Sequence, residues 1–280
     1  MKVLVTGAYG QLGKDLVTIL QDRFEVFGMG KEELDVTKMN QSREVVHSIM
    51  PDVIIHTAAY TAVDLAEKEE NQAYLVNAFG TRNITVVAEE VGSKICYIST
   101  DYVFDGLSSV PYKEYDQTNP LGVYGKSKRA GEQLVQSLSS KFFIVRTSWV
   151  YGFHGNNFVK TMLKLAEERN HLKVVHDQVG SPTYTVDLSL FLSELITTDK
   201  FGIYHASNTG ACSWYEFAKA IFEEIGISAQ IEPCTTEEFP RPAPRPKYSV
   251  MDHLSIRCNG FKDFRHWRDA LRDFLREFKG

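Results

Sequence analysis

Thr6-Gly-Ala-Tyr-Gly-Gln-Leu-Gly13 is the stretch on which the reading of the chain turns. It follows a short apolar run, residues 2–6, and precedes residues 11–20, whose Leu12, Leu16, Ile19 and Leu20 share one helical face. A glycine turn between a strand and a helix can cradle a phosphate. Gly7 permits the tight turn, Gly10 lets the backbone approach a pyrophosphate, and Gly13 permits close helix packing, while the helix amino end offers free N–H groups to the anion. The spacing is Gly-x-x-Gly-x-x-Gly, not Gly-x-Gly-x-x-Gly, so its weight comes from its place in the chain.

That place is a regular alternation. Residues 24–27 read as a second strand, 42–50 as a helix, and 53–55 as a third strand ending at His56-Thr-Ala-Ala59. Residues 70–91 are helical in pattern and 95–99 form a buried strand. Residues 120–138 form a long helix with Asn119 as its cap and Pro120 in its first turn, and 142–146 make another strand. Strands alternating with helices imply an α/β fold, a Rossmann-like doubly wound parallel sheet. After about residue 150 loop-forming stretches interrupt the pattern at 152–157, 180–183 and 233–247. Residues 1–150 are therefore expected to form an NAD(P)-binding domain, with some later segments returning to it. Residues 151–280 are expected to form mainly a smaller C-terminal substrate-binding domain, closed by a helix over 261–278. Four of the nine prolines fall between Phe239 and Lys247, which makes that segment stiff and extended.

With 43% hydrophobic and 24% charged residues, a chain of 280 residues can bury one large core or two modest ones. A net charge of -5 weighs against a nucleic-acid partner, which usually meets a basic face. No apolar run approaches the roughly 20 residues that span a bilayer, and Met1-Lys2 leads straight into a strand, so neither membrane nor signal peptide is expected and the location is expected to be cytoplasmic. Cys96, Cys212, Cys234 and Cys258 make no CxxC pair. His154, His171 and His176 do not cluster with carboxylates at ligand spacing, so no catalytic metal is expected.

The end of the second strand bears on the cofactor, because an acid there binds ribose hydroxyls and repels a 2′-phosphate. Gly28-Met-Gly30 carries no acid and Lys31 follows, which favours NADPH, while Glu32 and Glu33 leave NADH open. Asp35, in Leu34-Asp-Val36, lies past the strand; it and Val36 meet the adenine edge, or Asp35 caps the turn before Thr37.

Tyr124-Gly-Lys-Ser-Lys128 sets a phenol and an ammonium one helical turn apart on one face. A nearby cation favours phenolate, so Lys128 is expected to lower the Tyr124 pKa from about 10 and to hold the nicotinamide ribose. Tyr124 then donates a proton to a carbonyl oxygen as hydride reaches the carbon. Tyr-x-x-x-Lys occurs by chance on many helices, but this pair follows a buried strand ending in Ser99-Thr100. The Thr100 hydroxyl can bind the same oxygen, whereas Ser99 continues the strand and faces the packed side.

In this order the elements resemble an extended short-chain dehydrogenase/reductase over essentially the whole chain. Seven stretches narrow the resemblance to dTDP-4-dehydrorhamnose reductases. They are Gly10-Gln-Leu-Gly13, Ala58-Ala-Tyr-Thr-Ala-Val-Asp64, Ser99-Thr-Asp-Tyr-Val-Phe-Asp-Gly106, Tyr124-Gly-Lys-Ser-Lys128, Arg146-Thr-Ser-Trp-Val-Tyr151, Asn156-Asn-Phe158 and Asp177-Gln-Val-Gly-Ser-Pro-Thr183. The resemblance implies NADPH-dependent reduction of the 4-keto group of dTDP-4-dehydro-beta-L-rhamnose to dTDP-L-rhamnose for cell-surface polysaccharide. It implies Thr100, Tyr124 and Lys128 as the catalytic set, and Gln11, Leu12, Ala58, Ala59, Tyr60 and Asn77 along the cofactor. Thr61, Val63, Asp101, Tyr102 and Trp149 would face the sugar, although an aromatic just after a strand is more often core. Arg241, Arg245 and Lys247 form a basic cluster with no acid nearby in sequence; Arg245 is the best placed to anchor the diphosphate.

The resemblance departs at the metal-linked dimer that some members form through glutamates. Asp15 takes one glutamate's place and Val186 another, which weighs against a magnesium bridge and leaves a monomer or weak homodimer expected. Nucleotide-sugar epimerases and dehydratases share the glycine turn and the Tyr/Lys pair, and the methionine adenosyltransferase beta subunit, a non-catalytic regulator, shares much of the motif set. Both stay open at this level.

Overall fold

The computed structural model describes residues 1–169 and 171–279. Six parallel strands form its central sheet: β1 (Lys2–Thr6), β2 (Glu25–Met29), β3 (Val53–His56), β4 (Lys94–Thr100), β5 (Phe142–Thr147) and a sixth over Gly202–His205. Their spatial order is sixth, β5, β4, β3, β1, β2, all parallel. The doubly wound α/β fold is thus as expected. The winding reverses beside β1, and an open parallel sheet presents its ligand crevice at such a switch point, outside the carboxyl ends of the strands.

Alternation along each strand feeds two layers. Val3, Val5, Val53, Ile55, Phe143 and Val145 meet α1 (Gln11–Gln21) and α8 (Thr185–Leu195) through Leu12, Leu16, Leu20, Leu188 and Leu192. Leu4, Ile54, Ile95, Tyr97 and Ile144 point the other way. They join Val46 of α2 (Met39–Ile49), Ile84 and Val87 of α5 (Thr81–Glu90), and Val135 of α6 (Val123–Leu138). Burial on both faces explains why these strands read as continuous apolar runs. A separate apolar cluster packs Val159 and Met162 of α7 (Phe158–Glu168) against Phe217 and Ile221 of α9 (Trp214–Ile225). Leu271 and Phe274 of α11 (Trp267–Lys279) close it. The remaining helices, α3 (Val63–Ala66), α4 (Glu70–Tyr74) and α10 (Leu254–Cys258), are short. No helix among the described residues is long and apolar enough to cross a membrane.

Three expected elements are corrected. The helix read over 70–91 is divided: a π-helical turn, Leu75–Gly80, separates α4 from α5. Its extra residue shifts the helical register and brings the fully buried Asn77 to Tyr60 and Ser127. The helix read from residue 120 begins at Val123 with Gly122 as its cap, because Glu67 Oε1 accepts the Val123 N–H at 2.8 Å. Pro120 lies in the approach, and Asn119 donates to Asp105 instead of capping. The closing helix starts at Trp267; Phe261 and Phe264, counted in its pattern, pack against the core beneath the sheet.

Candidate active site

A cleft of about 1340 Å³ runs along the carboxyl ends of β1, β2, β3 and β4. Sites for one small ligand occupy roughly 300–1,000 Å³, so this one has room for a dinucleotide and a second molecule. Its floor is the glycine turn. Gly7 has φ +67°, and a Cβ there would stand 2.7 Å from Ala58 N; a Cβ on Gly13 would stand 2.3 Å from Gly7 O. Side chains at either position would push the turn off β3 or lift α1 from it. Gly10 supplies no side-chain cap to α1, so the first-turn N–H groups at Gln11, Leu12 and Gly13 open on the cleft and fit a pyrophosphate.

Beyond β2, Lys31, Asp35 and Val36 line the same cleft. The Glu33 carboxylate is held at Gly30, accepting from its N–H at 3.0 Å and from the Tyr9 hydroxyl at 3.0 Å. Asp35 Oδ1 accepts from both the N–H and the hydroxyl of Thr37, which holds the turn before α2. Ala58, Ala59, Tyr60, Thr61 and Val63 line the cleft from the segment after β3.

Thr100 ends β4, while Tyr124 and Lys128 come from the first two turns of α6, and all three line the cleft. Lys128 is buried; its Nζ donates to Ile98 O at 2.7 Å and sits 4.1 Å from the centre of the Tyr97 ring. Burial pulls its pKa down to about 7, against the opposing pull of the Glu132 carboxylate. Tyr124 behaves differently from the expectation of a lowered phenol. Burial pushes its pKa up to about 12, the nearby Asp101 carboxylate adds to the rise, and the Thr100 hydroxyl only partly offsets them. Desolvation dominates and the ammonium one turn away does not lower the phenol, so at neutral pH Tyr124 is a phenol with a proton to give. Asp101, whose Oδ1 accepts from Thr100 at 3.0 Å, is itself raised by burial to about 6. The Tyr102 ring meets Tyr124 edge-on at 5.6 Å.

Behind the cleft lies a buried ion pair. Arg146 of β5 donates through Nε and Nη2 to the two oxygens of Glu132, each at 2.9 Å; Ser99 donates to Glu132 Oε1 at 2.6 Å. The Ser99 hydroxyl is thus turned to Glu132, whereas that of its neighbour Thr100 is turned to Asp101, and both residues line the cleft.

Asp101, Tyr102 and Trp149 also line the cleft. Trp149 stands at φ +47° and stacks on Trp214, ring centres 3.4 Å apart and planes 6° from parallel. Trp214, the first residue of α9, was not legible as a cleft residue: its sequence signal is the Ser213/Glu216 capping box, which speaks of a helix start only. Two expected residues do not line the cleft. Asn77 is fully buried, accepting from Tyr60 N at 2.8 Å and donating to Tyr60 O and to Ser127 Oγ, so it braces the Ala58–Tyr60 segment from behind. Arg245 is not in a basic cluster free of acids. Its guanidinium makes a two-pronged pair with Asp64, at 2.8 and 3.0 Å, and ties the proline-rich segment to α3. Asp15 is turned to the Thr185 hydroxyl and has His154 at 3.6 Å. No group of three metal-ligating side chains occurs among the described residues.

Residues 1–279 match the family described as RmlD substrate binding domain. Among curated relatives, a dTDP-4-dehydrorhamnose reductase of Aggregatibacter actinomycetemcomitans is 43% identical over 97% of this chain and 97% of its own length. The chain belongs to the dTDP-4-dehydrorhamnose reductase family. The spore coat polysaccharide biosynthesis protein SpsK of Bacillus subtilis is 47% identical over 99% of this chain and 97% of its own. A family member from Bacillus anthracis, solved in complex with NADP, superposes with a TM-score of 0.97 at 49% identity, covering 99% of both chains.

Proposed function

We propose that the chain is an NADPH-dependent reductase that turns the 4-keto group of dTDP-4-dehydro-beta-L-rhamnose into the hydroxyl of dTDP-L-rhamnose. One observation carries this reading: Thr100, Tyr124 and Lys128 share a single cleft with the glycine cradle. The relative named for this activity and the one solved with NADP support the substrate and the cofactor. NADPH, when bound, supplies the hydride. Tyr124 donates its phenolic proton to the carbonyl oxygen as negative charge grows there, and the Thr100 hydroxyl turns from Asp101 to hydrogen bond the same oxygen. Lys128 steadies the phenolate left on Tyr124 and holds the nicotinamide ribose; solvent then restores the proton. Lys31 supports a preference for NADPH, with NADH as the weaker alternative.

Residues 1–150, with the sixth strand and α8 returning to them, form the cofactor side of this enzyme and 151–280 mainly the substrate side; between them the Trp149–Trp214 stack offers a flat apolar wall to the deoxysugar. The enzyme acts in the cytoplasm as a monomer or weak homodimer, without nucleic-acid or membrane partners; the net charge of -5 supports the absence of a nucleic-acid partner.

The direct test supplies the 4-keto sugar nucleotide with NADPH or NADH and follows reduced-cofactor absorbance. Absence of substrate-dependent oxidation with both cofactors would sink the reading. A pH profile adds a second check. Lys128 carries its charge below about 7 and loses it above. Because kcat/KM reports ionisations of the free enzyme, it is expected to fall on the alkaline side with a midpoint near 7. A profile flat from neutrality to pH 9 would show either that Lys128 keeps its charge throughout that range or that the reaction does not need it.

A further inference from the structure

A helix sets Tyr124 and Lys128 relative to each other, but it does not set either relative to Thr100, which belongs to another element. Something must fix where α6 lies along β4. Continuing along the same helical face, four residues past Lys128, is Glu132. Its carboxylate is fully buried and accepts from Ser99 Oγ of β4 at 2.6 Å, from Arg146 of β5 through two bonds at 2.9 Å, and from Arg129 at 3.2 Å. Ser99 is the residue directly before Thr100. Close approach of helix and strand is built in: a Cβ on Gly131 would stand 2.5 Å from the Tyr97 hydroxyl.

We propose that Glu132 is a positioning residue of the reaction: through Ser99 and Arg146 it locks the helix bearing Tyr124 and Lys128 against the strand that ends in Thr100. The inference rests on the reductase reading above. Stability alone does not account for the pair, because removing two charges from water costs about as much as their attraction returns, and apolar residues of similar volume often serve equally well or better. The pair's place does account for it, one turn behind the ammonium and one residue behind the hydroxyl.

Glu132 has a second effect on the same pair. The groups set against the Lys128 ammonium are Glu132 on its own helix, His56 from β3 and Tyr97 from β4; Arg129 and Arg146 lie beyond it on the Glu132 carboxylate, and Tyr124, Asp101 and Tyr102 share the cleft with it. His56 is held uncharged by burial, its pKa pulled down to about 3, and the phenols are protonated at neutrality. Glu132 is the anion that counters the desolvation of Lys128. Losing it therefore moves the Lys128 titration to lower pH.

Two variants of the full chain test this. Glu132→Gln removes the charge at constant shape but leaves Arg146 buried with a poor partner, so it can fail to fold. A double variant, Glu132→Met with Arg146→Met, replaces the pair by apolar volume and is expected to fold with a Tm somewhat below the parental one, because Ser99, His205 and the Glu114 carbonyl each lose a partner. Misplacing a reacting group by an ångström costs up to about 100-fold, so the double variant is expected to lose at least ~10-fold in kcat and less in KM for NADPH, which the glycine cradle mainly sets. Its Lys128 titration, followed by the pH dependence of amine labelling at that residue, is expected to move below the parental point. A double variant that folds and whose kcat stays within about two-fold of the parent overturns the proposal. A parent protein that never turns over the sugar nucleotide brings down the reductase reading and this proposal with it, an outcome distinct from an active parent whose double variant is unaffected.

Discussion

Tyr124→Phe is expected to lower turnover at least about 100-fold, within the 10²–10⁴ range that a positioned general acid contributes. The substitution removes one hydroxyl and keeps the ring that meets Tyr102 edge-on at 5.6 Å, so the fold and the cofactor cradle stay as they are. Burial holds the Tyr124 pKa up to about 12, so the wild-type residue is almost wholly a proton donor at neutrality and phenylalanine supplies none. The loss should therefore fall on kcat, with the dissociation constant for NADPH near normal by fluorescence titration. Turnover equal to wild type would take Tyr124 out of the acid role. A matching loss of cofactor affinity would move it from proton transfer to binding.

The second large effect concerns the glycine turn, where two glycines of one motif should fail in different ways. Gly13→Ala puts a methyl 2.3 Å from Gly7 O and 2.8 Å from Ala8 Cα, both backbone atoms that cannot swing aside. Overpacking of this kind costs about 1–3 kcal/mol, so a clear drop in Tm is expected, with cofactor affinity falling along with the turn. Gly10→Ala meets only Gly7 O, at 3.2 Å, which a small shift relieves. Its methyl stands where a pyrophosphate would approach. Stability is expected to change little, while NADPH binding weakens at least about ten-fold, equivalent to ~1.4 kcal/mol. Thermal melts and binding titrations on the two variants separate these roles. A Gly10→Ala protein that binds NADPH as tightly as the parent would remove the pyrophosphate from that place.

Much of this architecture was legible in the residues because it is written in local patterns. Val3 and Val5 on one side of β1, with Leu4 on the other, follow from the two-residue period of a strand. Gly7, Gly10 and Gly13 lie in one turn, and Tyr124 and Lys128 on one helical face, wherever those elements end up. The misread boundaries have physical causes of the opposite kind. Pro120 and Asn119 make a plausible helix start, but Glu67, 56 residues earlier, accepts the Val123 N–H and sets the start there. Residues 70–91 have a helical pattern, yet the bonds of Asn77 to Tyr60 and Ser127 accompany a π-helical turn that pattern alone does not register.

The candidate site divides along the same line. Sequence by itself determined the α/β alternation, the phosphate cradle, the spacing of the proton-handling pair and the strand end at Thr100, since each depends on bond geometry over a few residues. Tertiary structure alone decided the chemistry those residues can do. It paired Arg245 with Asp64 across 181 residues, so the guanidinium read as open to a diphosphate is already satisfied. It also stacked Trp214 on Trp149, and it set Glu132 between Ser99 and Arg146 behind the catalytic helix. Above all it reversed the expected shift of Tyr124 and brought Lys128 to about 7. The reason is that an ionisable group answers to the water it has lost and the charges packed around it, and those come from strands and helices distant in the chain.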